Sequence, residues 1–285
     1  MINYHLPGFY LLSYHNTKLL ALRNSAPEVF KPNVNISTIY GAFPHMAWSG
    51  GRMVYGEKDL NQAKKIIEIF NDNGIGLKLT ATNPVLRKEH LQDKHSNDVM
   101  RLLASNKMNE IIVVSPILES YIRDKYPNVR ISSSTSKGIT DKGTLNKELD
   151  RYDMVVLSNS LNREYQLLND IVQKDKVEIL VNSYCVDNCK FAKEHYNAVG
   201  LATIGEGSKF NCKYNIGTTE TQRKRNHYIS YDDIVNIYYP LGFTNFKLDG
   251  RGFGWNETVV DSYVEYLIIE EEKEGVRDFL KVSVE

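Results

Sequence analysis

The sequence predicts one α/β domain, built as a (β/α)8 barrel of the TIM type. Short apolar or β-branched runs recur along the 285 residues, and most of them alternate with segments of helical period. Such alternation indicates parallel βαβ units, and eight of them suit a barrel of this length. The alternative is a doubly wound open sheet. That fold usually has a glycine-rich phosphate turn after its first strand, and none is present here.

Eight runs are predicted as strands because each is short, apolar or β-branched, and ends in small polar residues. They cover residues 8–13, 38–43, 76–80, 110–114, 129–133, 153–157, 177–181 and 245–248.

Helices are predicted between most of these strands. The clearest has apolar residues on one face and lysines on the other; the apolar positions are Leu60, Ala63, Ile66, Ile67 and Phe70. Similar patterns occur at residues 117–126, 145–151, 164–173 and 231–239. Ser230 is a suitable N-cap for the last of these, with Asp233 three residues further on.

Composition excludes several classes of protein. Lys and Arg together number 35, as do Asp and Glu, so no net charge draws the chain to nucleic acid or to an anionic membrane. No apolar stretch is long enough to span a membrane, and the first residues do not resemble a signal peptide. We therefore expect a cytoplasmic protein with reduced thiols. We expect residues 1–285 to form one domain, with an insert at about residues 201–229.

Polar residues follow the predicted strands, at the carboxyl ends, where the active sites of such barrels lie. They are His15, Asn16, Pro44, His45, Thr82, Asn83, Ser115, Ser133, Ser134, Thr135, Ser158, Asn159, Asn182, Tyr184, Cys185, Asp249 and Arg251. Such a ring suits a small polar or anionic ligand, which Arg251 or Arg52 would hold. Alternatively, these residues cap the helices that follow them.

All three cysteines lie within one short window after the strand predicted at residues 177–181. Cys185 and Cys189 have C-x3-C spacing, and Cys212 follows, a grouping that suggests a metal or cluster site. With His195 as a fourth ligand, the thiols would hold zinc. Alternatively, they would hold an iron–sulfur cluster with one iron open, or they bind no metal and pack as small apolar residues.

One segment, residues 238–251, resembles the lysine–acidic–glycine–arginine signature of the collagenase-like peptidase family. Lys247, Asp249, Gly250 and Arg251 match the signature, with Asp in place of the more usual Glu. The segments 131–135, 154–158 and 177–185 are similar to family strands in the same order. The likeness covers about residues 110–252.

The resemblance implies a barrel fold and a function. Bacterial members of the family include oxygen-independent hydroxylases of ubiquinone precursors and of tRNA, and in that branch four cysteines hold an iron–sulfur cluster. Cys185, Cys189 and Cys212 match the first three, and the fourth is missing, so the chain resembles a divergent member.

The resemblance further implies an enzyme that acts on a small polar substrate, by oxygen-independent hydroxylation or a related redox step. Arg251, Asp249 and Arg52 would orient that substrate. The alternative is a non-catalytic barrel that binds a small molecule or a peptide and has lost its cluster.

Other motifs are weaker. Arg223, Lys224 and Arg225 would suit a phosphate of nucleic acid or a solvated loop. His90 and His95 are predicted at the surface or at a helix end. The loop from His45 through Trp48 would cover a ligand or form a glycine-rich turn over a buried Trp.

Overall fold

The computed structural model describes residues 1–51, 53–186, 188–207, 210–212, 214, 219–250 and 256–281, with Asn256 described by its backbone alone. Eight parallel strands close into a barrel in the order of the chain. The strands are β1 (Ile2–Pro7), β2 (Val34–Gly41), β3 (Gly76–Ala81), β4 (Glu110–Val113), β5 (Arg130–Ser133), β6 (Met154–Val156), β7 (Val177–Leu180) and β8 (Asn245–Lys247). The predicted (β/α)8 fold is confirmed.

Helices alternate with these strands. They are α1 (Ser13–Ser25), α2 (Leu60–Asp72), α3 (Lys94–Ala104), α4 (Pro116–Lys125), α5 (Lys142–Arg151), α6 (Tyr165–Asp170), α7 (Ala192–Thr203), α8 (Thr219–Arg223), α9 (Tyr231–Asp233), α10 (Asn256–Leu267) and α11 (Lys273–Lys281). A π-helical turn, Ile234–Tyr238, extends α9. Short 3₁₀ helices lie at Pro27–Val29, Lys88–Gln92, Thr135–Lys137, Asn159–Leu161, Lys174–Lys176 and Glu270–Glu272.

Seven of the eight predicted strands overlap observed ones, and the first prediction is wrong. The first strand is Ile2–Pro7, and residues 8–13 form a turn and the start of α1. Asn3 and His5 alternate with apolar residues in β1, so no continuous apolar run marks it. Gly8, with φ of 79°, ends the strand in a conformation that favours glycine.

Alternate residues of each strand pack outward against the helices. Ile111, Val113, Ile179 and Phe246 belong to the main hydrophobic cluster, which also contains the buried stripe of α2. The predicted capping of the helix at Ser230 is confirmed, because the Ser230 hydroxyl accepts a hydrogen bond from Asp233 N at 3.0 Å.

The barrel closes where β8 meets β1. A Cβ atom on Gly250 would lie 2.4 Å from Pro7 Cγ, so this position requires glycine for close approach of the two strand ends. None of the helices in the described part of the chain is both long and apolar enough to cross a membrane.

Candidate functional site

Charged side chains fill the barrel interior. The ammonium group of Lys78 on β3 lies 2.5 Å from a carboxylate oxygen of Glu178 on β7. These strands are four apart in either direction around the barrel, so this contact crosses its centre. Both side chains are almost fully buried. We call this set of buried groups, completed in the next two paragraphs, the barrel floor.

Two further ion pairs extend the barrel floor. Lys78 also lies 2.7 Å from Glu110 on β4, and Ser132 donates a hydrogen bond to the same carboxylate at 2.8 Å. Lys247 on β8 binds the second oxygen of Glu178 at 2.8 Å. Two ammonium groups therefore face two carboxylates, which is the pairing that buried charges require.

His5 on β1 completes the barrel floor as a neutral ring. Burial lowers its pKa from 6.5 to about 3, although Glu178, 3.7 Å away, acts in the opposite direction. The side-chain nitrogen of Asn245 donates a hydrogen bond to Asp175 O. The side-chain oxygen of Asn245 therefore faces His5 Nε2, at 3.3 Å. Nε2 therefore carries the proton, and Nδ1 accepts from the Thr38 hydroxyl at 2.7 Å.

The two buried lysines differ in their electrostatics. Burial acts to lower the pKa of both, but the carboxylates of Glu110 and Glu178 raise the pKa of Lys78 above its usual value. Lys247 has Glu178 alone as a close partner, and Lys78 repels it, so burial lowers its pKa. For Glu178 burial acts to raise the pKa, yet its neighbours His5, Lys247 and Lys78 keep that pKa well below the usual range.

A cavity of about 190 Å³ lies above the barrel floor, at the carboxyl ends of the strands. Lys247 and Asp249 line it, and the Lys247 ammonium group lies 3.8 Å from the centre of the Tyr40 ring. Its hydroxyl groups come from Thr80, Thr82, Ser134, Thr135, Ser136 and Ser183. This cavity can hold a small molecule between a cation, a carboxylate and several hydrogen-bonding groups.

The position of Asp249 is fixed by the residues that follow β7. The Asn182 side chain accepts from Asp249 N at 2.6 Å and donates to Asp249 O at 3.2 Å and to Ser262 at 3.0 Å. The Asp249 carboxylate accepts from Tyr184 N at 3.3 Å. Asp249 is therefore held at the cavity wall by backbone and amide contacts of the neighbouring strand end.

A groove of about 800 Å³ adjoins the cavity. The two share five lining residues, which are Thr135, Ser136, Leu180, Ser183 and Tyr196. Cys185 and Cys189 line the groove and are partly exposed.

The four predicted metal ligands are not brought together. Cys212 is exposed, whereas His195 lines the barrel cavity and stacks on Phe210 with a ring distance of 4.7 Å. Among the described residues, which include all four ligands, no three His, Cys, Asp or Glu side chains are arranged to share a metal ion. This arrangement does not fit a zinc ion or a cluster, so no reaction step is assigned to one, and the metal centre stays a prediction.

The two predicted substrate-binding arginines, Arg251 and Arg52, lie outside the described residues. Of the three residues predicted to orient a substrate, Asp249 alone is placed, and it faces the cavity. The predicted insert at about residues 201–229 falls partly outside the described residues as well.

Several polar strand ends support the backbone instead of facing a ligand. Asn16 lies on α1 and donates to Pro7 O at 3.0 Å, and Asn83 donates to Ala47 O at 2.9 Å and to Gly200 O at 3.1 Å. Ser134 caps the short helix that follows β5. These residues therefore have structural roles. Ser134 caps a helix, as the alternative interpretation predicts, and the two asparagines support loops.

The weaker motifs also have structural roles. Trp48 is fully buried and donates to His90 O at 2.9 Å, so it is not placed to stack on a ligand. His95 begins α3 as predicted, but it is buried against Pro44 O and not at the surface. Arg223 binds Glu265 at 3.1 Å, and Lys224 binds Glu220 at 2.6 Å.

Sequence reasoning missed the barrel floor. Its members His5, Lys78 and Glu178 each lie within a strand, between apolar neighbours, and Glu110 begins β4. Charged residues at alternate positions of otherwise apolar parallel strands are unusual, because such strands are buried on both faces. That pattern was the available signal for a polar barrel interior.

The barrel and the cavity at the carboxyl ends of its strands define the class of protein, a (β/α)8 barrel with a partly open, ligand-sized site. No protein-family model matches the chain. In sequence it is similar to an "uncharacterized protease" of Methanocaldococcus jannaschii, with 20% identity over 237 residues, which are 79% of this chain and 71% of the relative. In structure it is similar to a U32 peptidase, with a TM-score of 0.54 and 14% identity, over 89% of this chain and 94% of the other. Both names agree with the resemblance to collagenase-like peptidases, and the structural likeness shows the fold.

Proposed function

We propose that this protein is an enzyme of the collagenase-like, U32 peptidase group that acts on a small polar substrate in the barrel cavity. The observation that carries the proposal is the pair Lys247 and Asp249. These residues bring an ammonium group and a carboxylate to the wall of one cavity of about 190 Å³. The names of the two similar proteins support the choice of group.

The cavity favours a substrate of a definite kind. Its volume is below the range of about 300–1,000 Å³ usual for drug-sized ligands, so the bound group is small. Lys247 and Asp249 oppose each other in charge, and the hydroxyl groups of Thr80 and Thr82 offer hydrogen bonds. These features suit a neutral or zwitterionic polar molecule. Arg251 and Arg52 are proposed to orient it further.

The proposed roles of the placed residues follow from their contacts. Asp249 is held through its backbone by Asn182, which leaves its carboxylate in place to accept a hydrogen bond or a proton from the substrate. Lys247 holds its ammonium group over the Tyr40 ring and in an ion pair with Glu178.

Oxygen-independent hydroxylation is a finer proposal. Its support is the resemblance together with the position of Cys185 and Cys189, which line the groove that opens into the cavity. Such chemistry would require the thiols to assemble around an iron–sulfur cluster, an arrangement that the described residues do not have. Elemental analysis of anaerobically purified protein tests this proposal directly.

Peptide hydrolysis is not our first choice, although one similar protein is named an uncharacterized protease and the other a peptidase. The sequence shows no Ser-His-Asp order, G-x-S-x-G or H-E-x-x-H. A quenched fluorescent peptide library, incubated with the purified protein, measures this activity without further assumptions.

The main proposal is tested by a thermal-shift screen with a library of small polar metabolites. A ligand at about 100 times its Kd stabilises the folded state by about 2.7 kcal/mol, which a melting curve detects. Asp249→Asn preserves the shape of the side chain and should weaken the binding of the hit about tenfold or more, because the carboxylate is lost. Lys64→Met, which changes an exposed lysine on α2, is the matched control and should bind as the wild type does.

The outcomes separate the two classes of function. Mass spectrometry of the hit after incubation shows product for an enzyme and unchanged ligand for a non-catalytic binding barrel. A hit whose affinity is the same in wild type and Asp249→Asn would place its binding outside the cavity and contradict the proposal.

A further inference from the structure

Two lysines of the barrel floor offer the same chemical group in different settings. Lys78 has two carboxylate partners, at 2.5 and 2.7 Å, and its side chain is 1% exposed. Lys247 has one carboxylate partner, at 2.8 Å, and its side chain is 8% exposed. Lys247 lines the cavity, and Lys78 is not among the residues that do. Of these two lysines, Lys247 is therefore the one that can meet a substrate in the cavity.

We propose that Lys247 is a nucleophilic amine, which forms an imine with an aldehyde or ketone group of the substrate in the cavity. This inference rests on the proposed function and names its substrate class as carbonyl compounds. The cavity size allows a carbonyl compound of a few carbon atoms to reach Nζ while the Asp249 carboxylate faces the same space.

The surroundings of Lys247 favour the free amine that such a reaction needs. Burial lowers its pKa, and the positive charge of Lys78 on β3 acts in the same direction, against Glu178 on β7 and the more distant Glu110 on β4. The other groups that face it are the Tyr40 ring on β2 and the neutral His5 on β1. Lysines used as nucleophiles are activated in this way, by desolvation and by a neighbouring cation.

The atoms and charges balance without another reactant. The ammonium group first gives up a proton, which Asp249 in the same cavity can hold. The nitrogen lone pair then forms a bond to the carbonyl carbon, and the π pair of the C=O bond moves to oxygen. That oxygen takes a proton from the nitrogen, and it leaves as water when the first proton returns. An ammonium ion and a carbonyl group thereby become an iminium ion and water.

The ion pair with Glu178 serves both the starting and the final state. The ammonium and the iminium ion each carry one positive charge at the same nitrogen, so the buried carboxylate has the same partner before and after the reaction, and Lys78 stays beside it in between. Lys247 can therefore change its covalent state without leaving an unpaired charge on the barrel floor.

Reductive trapping tests the proposal on the intact wild-type protein. Glyoxylate and the neutral glycolaldehyde serve as probes, with sodium cyanoborohydride as the reductant, and peptide mapping by mass spectrometry locates the modified lysines. We expect Lys247 to be modified several times faster than Lys78 or the exposed Lys64 near neutral pH, because a lowered pKa leaves more of the amine unprotonated. Lys78 is the matched control because it lies in the same network.

The variant Lys247→Met supplies the second measurement. Glu178 keeps Lys78 as a partner in it, so we expect the fold to persist, which circular dichroism checks, and the fast-labelling site to disappear. If the variant does not fold, the wild-type peptide map alone decides. Labelling of Lys247 no faster than Lys78 or Lys64 overturns the inference.

This result is independent of the proposed function itself. A ligand found in the thermal-shift screen, together with an unreactive Lys247, would reject the imine and retain the cavity as a binding site. The absence of both would reject the proposed function as well.

Discussion

The barrel floor and the cysteine-bearing segment after β7 are both rich in chemically reactive side chains, but they are organised differently. The floor residues lie within strands, and each has a partner at hydrogen-bonding distance, as Lys78 has in Glu178. The three cysteines lie in loops, where Cys185 and Cys189 line a groove and Cys212 is exposed elsewhere. In the strands, the register of the sheet determines which side chains meet. In the described loops, nothing comparable brings the cysteines together.

The largest expected loss of stability comes from replacing Lys78, which lies at the centre of the barrel floor. Lys78→Met should lower the free energy of unfolding by about 3–5 kcal/mol, because it leaves the buried carboxylates of Glu110 and Glu178 short of a partner. Urea denaturation measures this change.

The matched control is Lys64→Met, which removes an exposed ion pair with Glu68 and should change stability by less than about 1 kcal/mol. A Lys78→Met protein as stable as this control would show that the floor charges are not coupled as the distances indicate.

An intermediate loss of stability is expected at acidic pH, because His5 is buried as a neutral ring. Its pKa is about 3 in the folded protein and about 6.5 when unfolded, so the unfolded chain binds a proton first as the pH falls. Stability is therefore complete above pH 6.5 and decreases below it, by about 2 kcal/mol between about pH 8 and pH 5. Glu178, whose folded pKa is depressed, adds its own loss only below about pH 4.5.

His5→Gln should remove this pH dependence above pH 5, whatever it does to the overall stability. Denaturant titrations across the pH range provide the measurement, and His45→Asn, at an exposed position, is the control. The hypothesis of a buried neutral His5 fails if the His5→Gln and wild-type profiles have the same slope.

The smallest expected effect belongs to the cysteine segment. Cys212→Ser should change the free energy of unfolding by less than about 0.5 kcal/mol, because the thiol is exposed. Zinc and iron contents of anaerobically purified wild type and variant should be equal. Metal bound by the wild type and lost from Cys212→Ser would instead show that the thiols assemble, and would support the predicted centre.

Much of the fold was predictable because it depends on local patterns. Apolar runs such as residues 110–114 and the amphipathic face of α2 are visible in the sequence, and their alternation determines the barrel. β1 was missed because His5 interrupts its apolar run. That His is explained by contacts with Thr38, Glu178 and Asn245, the last two of which are far away in sequence.

The candidate site was predictable only in part. The resemblance found Lys247 and Asp249 through their motif, and the structure places both at the cavity. Lys78, Glu110 and Glu178 belong to no motif of their own, and their association arises from closure of the barrel. For Trp48 the sequence left open whether the ring covers a ligand or is buried, because a glycine-rich loop beside an aromatic residue does not show which. The structure shows that the ring is buried.

Closure of the barrel between β1 and β8 has a consequence for biosynthesis. His5 hydrogen-bonds to Asn245, 240 residues further along the chain. The ion pair between Lys78 and Glu178 can form only when β7 is present. A nascent chain that ends before β7 lacks one of the two carboxylates that pair with Lys78, and its barrel is still open. Such a chain cannot complete a stable core, so productive folding awaits synthesis of the last two strands, and fragments that stop earlier are candidates for chaperone binding.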